Sequence, residues 1–305
     1  MKDKKGFTLN QKVRIHIFGY TLLAYPLLLF IVLYLYGSIN GLLLSFQSVD
    51  YLGEKTWVGF SNYVTFIKNV FTDGDVVGIS MWNSLRGWFL SELIHVPLGI
   101  LFAYFIFKKV KGHKLMNLIF LLPTIVSGFV YTLVFKQFTS TGLVEFMNAF
   151  GVENFPRLMD EPKYAFELTC FYGIWCGFGM SIIAYSNAMN GIDPAIFESA
   201  QIDGMYTIFQ ELRYIILPLI LPTIVTFLIT SVACIFTSAG YVVAFYYTAA
   251  PEQAYNMGYW LFNRLTTNLS TNDGYGVLAA AQILLAFLIF PVMMLLRKLS
   301  DKVAV

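Results

Sequence analysis

The sequence predicts an all-α integral membrane protein with six transmembrane helices. Of its 305 residues, 57% are hydrophobic and 12% are charged, whereas soluble domains average about 45–50% apolar and about 25% charged residues. A chain of this composition cannot hide its apolar surface from water. Its net charge is only +2, and its basic residues are scattered, unlike the basic face of a nucleic-acid-binding protein. We therefore expect the lipid bilayer, and no nucleic acid, as a partner.

Six apolar runs are long enough to cross a bilayer, whose hydrocarbon core of about 30 Å needs about 20 helical residues. They lie near residues 18–44, 85–107, 115–135, 165–185, 215–236 and 276–296. The first run exceeds the apolar core of about 7–15 residues in a signal peptide, so we expect it to remain as the first span. An even number of spans places both termini on one side of the membrane.

The distribution of lysine and arginine predicts the orientation, because these residues resist translocation. One side would carry the connection at 108–114, Arg213, the basic tail and the amino-terminal basic group that includes Lys2, Lys4 and Lys5. On the other side, basic residues are spread over long stretches that also hold acidic residues. These stretches, at 46–81, 136–164 and 248–275, are predicted to be loops or short surface helices. The bias predicts that both termini are cytosolic.

A helical hairpin is predicted on the cytosolic side at about 187–217, between the fourth and fifth runs. Asp193 can cap the first free backbone N–H groups, and Pro194 suits the first helical position. Gly204 adopts a tight or left-handed conformation at little cost, so it can end this first helix. A second helical piece should then run from Met205 back into the membrane.

The first helix of the hairpin has a small apolar edge. Ile196, Phe197 and Ala200 form this edge beside Glu198, which is typical of a helix that docks in a groove of another protein. An amphipathic helix that lies against its own bundle or the lipid interface would show the same pattern.

Several motifs resemble the permeases of binding-protein-dependent ABC importers. The hairpin resembles the Glu-Ala-Ala loop of that family through Glu198-Ser199-Ala200, Asp203-Gly204-Met205 and Leu217-Pro218, with Ser199 and Met205 in place of the usual alanine. Similar matches along the chain are Asn83-Ser84-Leu85, Leu122-Pro123, Ile174-Trp175 with Gly177, and Tyr275-Gly276 with Ala279-Ala280-Ala281. Residues 57–63 resemble the first of the two permeases in carbohydrate importers of the maltose and multiple-sugar type.

This resemblance implies the transmembrane domain of a type I ABC importer. The chain would be a permease subunit in the bacterial cytoplasmic membrane, carrying a carbohydrate of oligosaccharide size. It has no G-x-x-x-x-G-K-[ST] motif for ATP phosphates, so we expect a transport subunit that is not an enzyme and binds no cofactor. ATP and Mg would be bound by partner subunits. The implied partners are a second permease, two ATP-binding cassette ATPase subunits and an extracytoplasmic solute-binding protein.

The resemblance also assigns roles along the chain. In the family, the glutamate-containing helix is the coupling helix, which sits in a cleft of the ATPase. By position, this role falls on Glu198, Ser199, Ala200, Asp203 and Gly204. The expected division is 1–79 for the cytosolic N-terminus, first transmembrane helix and outer loop, 80–297 for the permease core, and 298–305 for the cytosolic tail.

The substrate path is predicted only by position in the family. Its candidates are Trp175, Gly177 and Met180 in the fourth run, and Ser231, Ile235, Thr237 and Ser238 in the fifth run and just after it. The three hydroxyl groups could bind sugar hydroxyls, or they could bond back to their own helix. Because Met180 and Ile235 offer little polar chemistry, the partner permease could hold most of the ligand.

The second run contains Arg86, Glu92 and His95. A charge near the bilayer centre costs about 2.5–3.5 kcal/mol on insertion scales, so Glu92 should face protein or water. His95, one helical turn further on, is its expected partner, and the pair could lie at a subunit interface. Arg86 is nearer the outer end and could snorkel to the water.

Other functions remain open from the residues alone. A proton relay through Glu92 and His95 would make the chain a proton-coupled secondary transporter. Within the resembled family, the cargo could instead be glycerol phosphate or a peptide. Cys170, Cys176 and Cys234 have no C-x-x-C spacing and no histidine cluster beside them. We therefore expect them to be small core residues that form no metal site. A redox pair of Cys170 and Cys176 is the alternative.

Overall fold

The computed structural model describes residues 11–49, 54–72, 76–267 and 274–303. The basic residues Lys2, Lys4 and Lys5 lie outside this range, as do residues 50–53, 73–75 and 268–273 of the predicted loops. The helices are α1 (Gln11–Leu29), α2 (Tyr36–Ser45), α3 (Ser61–Phe71), α4 (Val76–Phe107), α5 (His113–Ile125), α6 (Gly128–Gln137), α7 (Leu143–Ala149), α8 (Ala165–Asn190), α9 (Pro194–Ile202), α10 (Ile208–Glu211), α11 (Leu217–Cys234), α12 (Gly240–Tyr246), α13 (Met257–Thr267) and α14 (Tyr275–Val303).

Shorter elements connect these helices. The π-helical segments Phe30–Leu35, Phe138–Gly142 and Leu212–Ile216 join α1 to α2, α6 to α7 and α10 to α11, and 3₁₀ turns occur at Pro162–Tyr164 and Glu252–Ala254. Strands β1 (Gln47–Val49) and β2 (Lys55–Trp57) pair antiparallel, with Ser48 opposite Thr56. This small ribbon is an addition to the predicted all-α fold.

Five of the six predicted runs are continuous helices long and apolar enough to cross a membrane. They are Ile15–Ser45, Val76–Phe107, Pro162–Asn190, Ile208–Cys234 and Tyr275–Lys298. All five begin before their predicted starts, and the largest differences are at the second, which begins at Val76 instead of residue 85, and at the fifth, which begins at Ile208 instead of residue 215. The multi-pass membrane prediction is thereby confirmed.

The third run, predicted as one span at 115–135, is bent. The segments His113–Ile125 and Gly128–Ala149 meet at an angle of 103°. Pro123 lacks a backbone donor in the last turn of α5, and both Val126 and Ser127 have extended ψ values, 145° and 121°. Counting this bent pair as one span gives six candidate spans among the residues that the structure describes. The prediction of one continuous helix at 115–135 is therefore wrong.

The centre of the bundle is the contact between α4 and α8, with α11 packed beside them. Its buried cluster includes Tyr104, Phe178, Ile182, Tyr185 and Ile220. The first span is exposed to its surroundings and touches the bundle mainly through α2, which packs on α14. An exposed apolar surface of this kind is typical of contact with a membrane or with another protein.

Candidate functional site

Helix α9 has the predicted ends. At its start, the Asp193 carboxylate accepts a hydrogen bond of 3.0 Å from the backbone N–H of Ala195, and Pro194 occupies the first helical position. At its end, Gly204 has a φ of +88°. The Gly204 N–H donates to the Gln201 carbonyl at 3.1 Å, and the Met205 N–H donates to the Ala200 carbonyl at 3.0 Å. Together these two bonds form a Schellman motif, which requires the left-handed residue.

The second piece of the hairpin begins later than predicted. It starts at Ile208 and not at Met205, because Thr207 and Gln210 form a capping box. The Gln210 N–H donates to the Thr207 hydroxyl at 3.3 Å, and the Thr207 N–H donates to the Gln210 side chain at 3.2 Å. A capping box satisfies two otherwise free donors, which fixes the start of the helix there. The π-helical segment then continues into α11.

The apolar edge predicted on α9 is divided between two surfaces. Phe197 faces its own chain: its ring lies 5.8 Å from the ring of Phe107, at the end of α4. Ala200 lines a cavity of about 210 Å³ between α9 and α10. Ile196 instead is exposed. For Phe197 and Ala200 the structure agrees with the alternative of an edge that lies against its own bundle, and these two residues anchor the helix to the protein.

Of the five candidates for coupling, Ala200 is half-buried. Glu198, Ser199, Asp203 and Gly204 are exposed. They leave α9 projecting from the bundle with a polar outer surface next to Ile196.

An ion pair ties the hairpin to α4. The Lys108 ammonium lies 2.6 Å from one carboxylate oxygen of Glu211, and the Tyr104 hydroxyl donates to the other at 3.1 Å. The same ammonium lies 5.1 Å from the centre of the Phe197 ring, within cation–π range. Sequence reasoning missed Glu211. The only indication in the sequence was the negative charge of Glu211, which is opposite to the positive charge of the lysine-rich connection at 108–114.

Part of the predicted substrate path lines one cavity. A cavity of about 280 Å³ lies among α4, α8, α11 and α12, and its lining includes three of the seven candidates, Ser231, Ile235 and Ser238. The prediction missed the aromatic lining residues Trp88 and Tyr241. Their only sequence signal was aromatic character, which is too common in this chain to single them out.

The hydroxyl groups of this path have partners in the protein. The Trp88 indole N–H donates to Ser231 at 3.1 Å, and the Ser231 hydroxyl donates to the Leu228 carbonyl at 3.0 Å. Thr237 bonds back to the Ala233 carbonyl at 3.5 Å and lines a separate, mainly apolar cavity. The alternative of helix-bonded hydroxyls therefore holds for Ser231 and Thr237.

The candidates on α8 lie elsewhere. The Trp175 ring packs 5.2 Å from Tyr131 and lines an apolar pocket of about 640 Å³. Gly177 is a helix-packing position, because a Cβ there would lie 2.9 Å from a ring carbon of His95. Met180 is exposed. The three candidates on α8 were grouped by their positions in the family, but each of them lies in different surroundings.

The polar residues of α4 do not pair as predicted. Glu92 lies near Ser231 of α11, whereas the His95 ring faces Ser181 of α8 at 3.4 Å and Phe178 edge-on at 4.8 Å. No ion pair joins Glu92 to His95 in the described part of the chain. Each residue therefore contacts a different neighbouring helix.

Arg86 also has a protein partner. Its guanidinium lies 3.1 Å from the Glu167 carboxylate and 4.8 Å from the centre of the Phe166 ring, both on α8. The prediction that Arg86 snorkels to the water is therefore incomplete, because Arg86 also pairs with Glu167.

The three described cysteines are free. Cys170 and Cys176 are half-buried, but Cys234 is exposed, so the prediction of a core position is wrong for Cys234.

Comparisons with known proteins agree with this architecture. Residues 95–305 match the family model described as binding-protein-dependent transport system inner membrane component. A multiple sugar-binding transport system permease protein, MsmF, of Streptococcus mutans is 27% identical over 96% of this chain and 98% of its own. An arabinooligosaccharides transport system permease protein, AraP, of Bacillus subtilis is 27% identical over 89% of this chain and 84% of its own.

A solved structure shares the fold. It is a bacterial ABC transporter involved in the import of the acidic polysaccharide alginate, with 23% identity, a TM-score of 0.78, and coverage of 96% of this chain and 98% of that one. The family match spans more than half of the chain, so this protein belongs to the binding-protein-dependent transport system inner membrane components, the ABC importer permeases.

Proposed function

We propose that this chain is the permease subunit of an ATP-driven importer that carries an oligosaccharide across the bacterial cytoplasmic membrane. The observation that carries the proposal is helix α9, which projects from the bundle yet contacts the end of α4 through Phe197. Glu211 ties the adjoining α10 to the same end of α4. An exposed helix fixed in this way can pass a displacement to membrane-spanning helices. The sugar-transport names of MsmF and AraP support a carbohydrate cargo.

The proposed assembly contains a second permease, two ATPase subunits that bind ATP and Mg, and an extracytoplasmic solute-binding protein. The hairpin and both termini would lie on the cytosolic side. Another solved structure of the alginate transporter, in complex with an alginate pentasaccharide-bound periplasmic protein, supports the binding-protein partner. It is 22% identical with a TM-score of 0.78, and covers 96% of this chain and 97% of that one.

In the proposed mechanism, α9 sits in a cleft of the ATPase through Ile196, Glu198, Ser199, Asp203 and Gly204. Closure of the ATPase pair favours one position of α9, and the contacts of α9 with α4 transmit this preference to the bundle. Only a difference in binding between the two states of the permease can shift their populations. The energy for import therefore comes from the partner subunits.

The cavity among α4, α8, α11 and α12 is the proposed place where cargo contacts this subunit. Trp88 and Tyr241 offer aromatic faces, and the described lining residues include no charged side chain. A neutral sugar fits such a lining better than glycerol phosphate. An anion that is buried without a nearby cation loses its hydration, and no protein contact offsets the free-energy cost.

Transport by the reconstituted complex tests this function. The permease, its partner permease, the ATPase and the binding protein are assembled in liposomes, and ATP hydrolysis and uptake are measured with a series of sugars. Glu198→Lys should retain ATP hydrolysis but lose most uptake, because a cation replaces the anion on the docking surface. Glu145→Lys is the matched control, since Glu145 is exposed on α7, away from the hairpin.

Normal uptake by Glu198→Lys would contradict the coupling role. Uptake that survives ATP depletion but stops when the proton gradient collapses would instead identify a proton-coupled secondary transporter.

A further inference from the structure

Helix α3 has three different faces. One is buried against the bundle and contains Asn62 and Phe66. A second, polar edge contains Ser61, Thr65, Lys68 and, directly after the helix, Thr72, and three of these four residues are exposed. The third edge is apolar yet exposed, and it begins at the residue before the helix: Phe60, Val64, Ile67 and Phe71. Phe60 is 70% exposed and Phe71 is 81% exposed. An ordinary surface helix has one apolar face toward the core and a polar face toward water, so the third edge needs an explanation.

The buried face places α3 across the ends of membrane-spanning helices. Near its start, the Asn62 amide donates to the carbonyls of Ser45 and Gln47, both at 2.9 Å, where α2 ends. Near its end, the Val70 carbonyl oxygen lies 2.9 Å from the position of a Cβ on Gly78, in the first turn of α4. The two ends of α3 therefore contact the ends of different spans, and α3 bridges them at the boundary of the bundle.

This boundary lies on the side of the membrane opposite to α9. Helix α4 begins beside α3 and ends at Phe107, which contacts Phe197 of α9. Its 32 residues span about 48 Å at 1.5 Å per residue, comparable to the full thickness of a bilayer with its polar regions. Helix α3 is therefore at the level of the opposite polar region.

The apolar edge is continuous with the exposed apolar surface of the first span. The Phe60 ring lies edge-on to the ring of Phe46, 5.3 Å away, and Phe46 directly follows α2. On α2, Ile39, Leu42 and Leu43 are exposed apolar side chains of the first span. Three residues before Phe60 in the sequence, Trp57 on strand β2 is also exposed. Tryptophan and other aromatic residues are enriched where a protein surface crosses from hydrocarbon to polar headgroups.

We propose that α3 is an interfacial helix whose apolar edge enters the lipid surface opposite α9, while its polar edge faces water. A helix with one charged edge and one exposed apolar edge lies in the plane of the interface. Lys68, on the polar edge, lies at the level of lipid phosphates. The helix anchors the near ends of α2 and α4 to the lipid surface. This role is independent of cargo and of ATP coupling.

Spin-label accessibility in the assembled transporter tests the proposal. Single cysteines are placed on the apolar edge by Ile67→Cys and Phe71→Cys, and on the polar edge by Ser61→Cys and Lys68→Cys as matched controls. The background replaces the native cysteines by alanine at Cys170, Cys176 and Cys234. After reconstitution in liposomes, each label is exposed to oxygen, which concentrates in lipid, and to a nickel chelate, which stays in water.

We expect the ratio of oxygen to nickel collisions to be several-fold higher on the apolar edge than on the polar edge. Equal nickel access on both edges would overturn the proposal, because the apolar edge would then lie in water. Shielding of the apolar edge from both reagents would also overturn it, because a protein partner would then cover the edge.

A second measurement does not depend on the cysteine-free background. Quenching of tryptophan fluorescence by lipids brominated near the headgroup should be stronger in the wild-type transporter than in Trp57→Phe. Identical quenching in the two proteins would place Trp57 away from lipid and would contradict the proposal.

Discussion

The ion pair between Lys108 and Glu211 predicts that Glu211→Gln weakens the connection between the hairpin and α4. The variant keeps the shape of the side chain and an oxygen that can accept the Tyr104 hydrogen bond, but it removes the charge that lies 2.6 Å from Lys108. A deficit in this variant would therefore report the lost charge and not a lost contact surface.

The size of the effect follows from burial. The side chains of Lys108 and Glu211 are 35% and 18% exposed. Exposed pairs contribute about 0–1 kcal/mol, and breaking a fully buried pair costs about 3–5 kcal/mol. Because Lys108 is already about one-third exposed, its ammonium can turn toward water, so we expect a loss of about 1–2 kcal/mol. At about 1.4 kcal/mol per tenfold change, the hairpin would detach from α4 roughly 5 to 30 times more often.

The assay is the number of ATP molecules hydrolysed per sugar imported by the reconstituted complex. Glu211→Gln and Lys108→Met should each raise this number, because motion of α9 reaches α4 less completely. The exchanged pair, Lys108→Glu with Glu211→Lys, should restore part of the loss, whereas each reversal alone should not. Glu145→Gln, an exposed change without this partner, should leave the ratio unchanged.

An unchanged ratio in Glu211→Gln, with correct assembly, would refute the reasoning. So would an exchanged pair no better than the single reversals, since the effect would then come from packing and not from charge.

Three further substitutions test the local geometry. Gly204→Val should raise the ATP used per sugar, because a φ of +88° costs a non-glycine residue about 1–2 kcal/mol; Gly204→Asn, which tolerates this region, should raise it less. Gly177→Ala should lower the midpoint of thermal unfolding, because the added Cβ would lie 2.9 Å from an imidazole carbon and overpacking costs about 1–3 kcal/mol. Gly41→Ala, with no neighbour within 4 Å, should not lower it. Glu167→Gln should change this midpoint little, because its side chain and that of Arg86 are 53% and 43% exposed and such pairs contribute about 0–1 kcal/mol; a drop as large as that of Gly177→Ala would contradict this.

Local sequence signals were sufficient to predict where helix α9 begins and ends. Asp193, Pro194 and Gly204 act through hydrogen bonds and dihedral angles within a few residues, so their effect can be predicted without knowing the rest of the fold. Thr207 and Gln210 also form a local capping box. The start of the second piece at Ile208, and not at the predicted Met205, is therefore also encoded by short-range interactions.

The bend in the third run was not visible in its hydrophobicity. Residues 115–135 are apolar on both sides of the break, and average apolar character carries no information on the extended conformation of Val126 and Ser127. Pro123 was the only residue that indicated a possible break, and proline is tolerated inside transmembrane helices.

The sequence by itself determined the environment, the five continuous spans and the termini of α9, because these depend on composition and on short-range interactions. Only the tertiary structure decided that Lys108 meets Glu211, that Arg86 meets Glu167, and that the predicted substrate-path residues separate into different surfaces. These outcomes depend on how helices that are distant in sequence are rotated about their axes and how closely they pack against each other. That arrangement is set by the packing of the whole bundle, in which each side chain competes with many alternatives of similar chemistry.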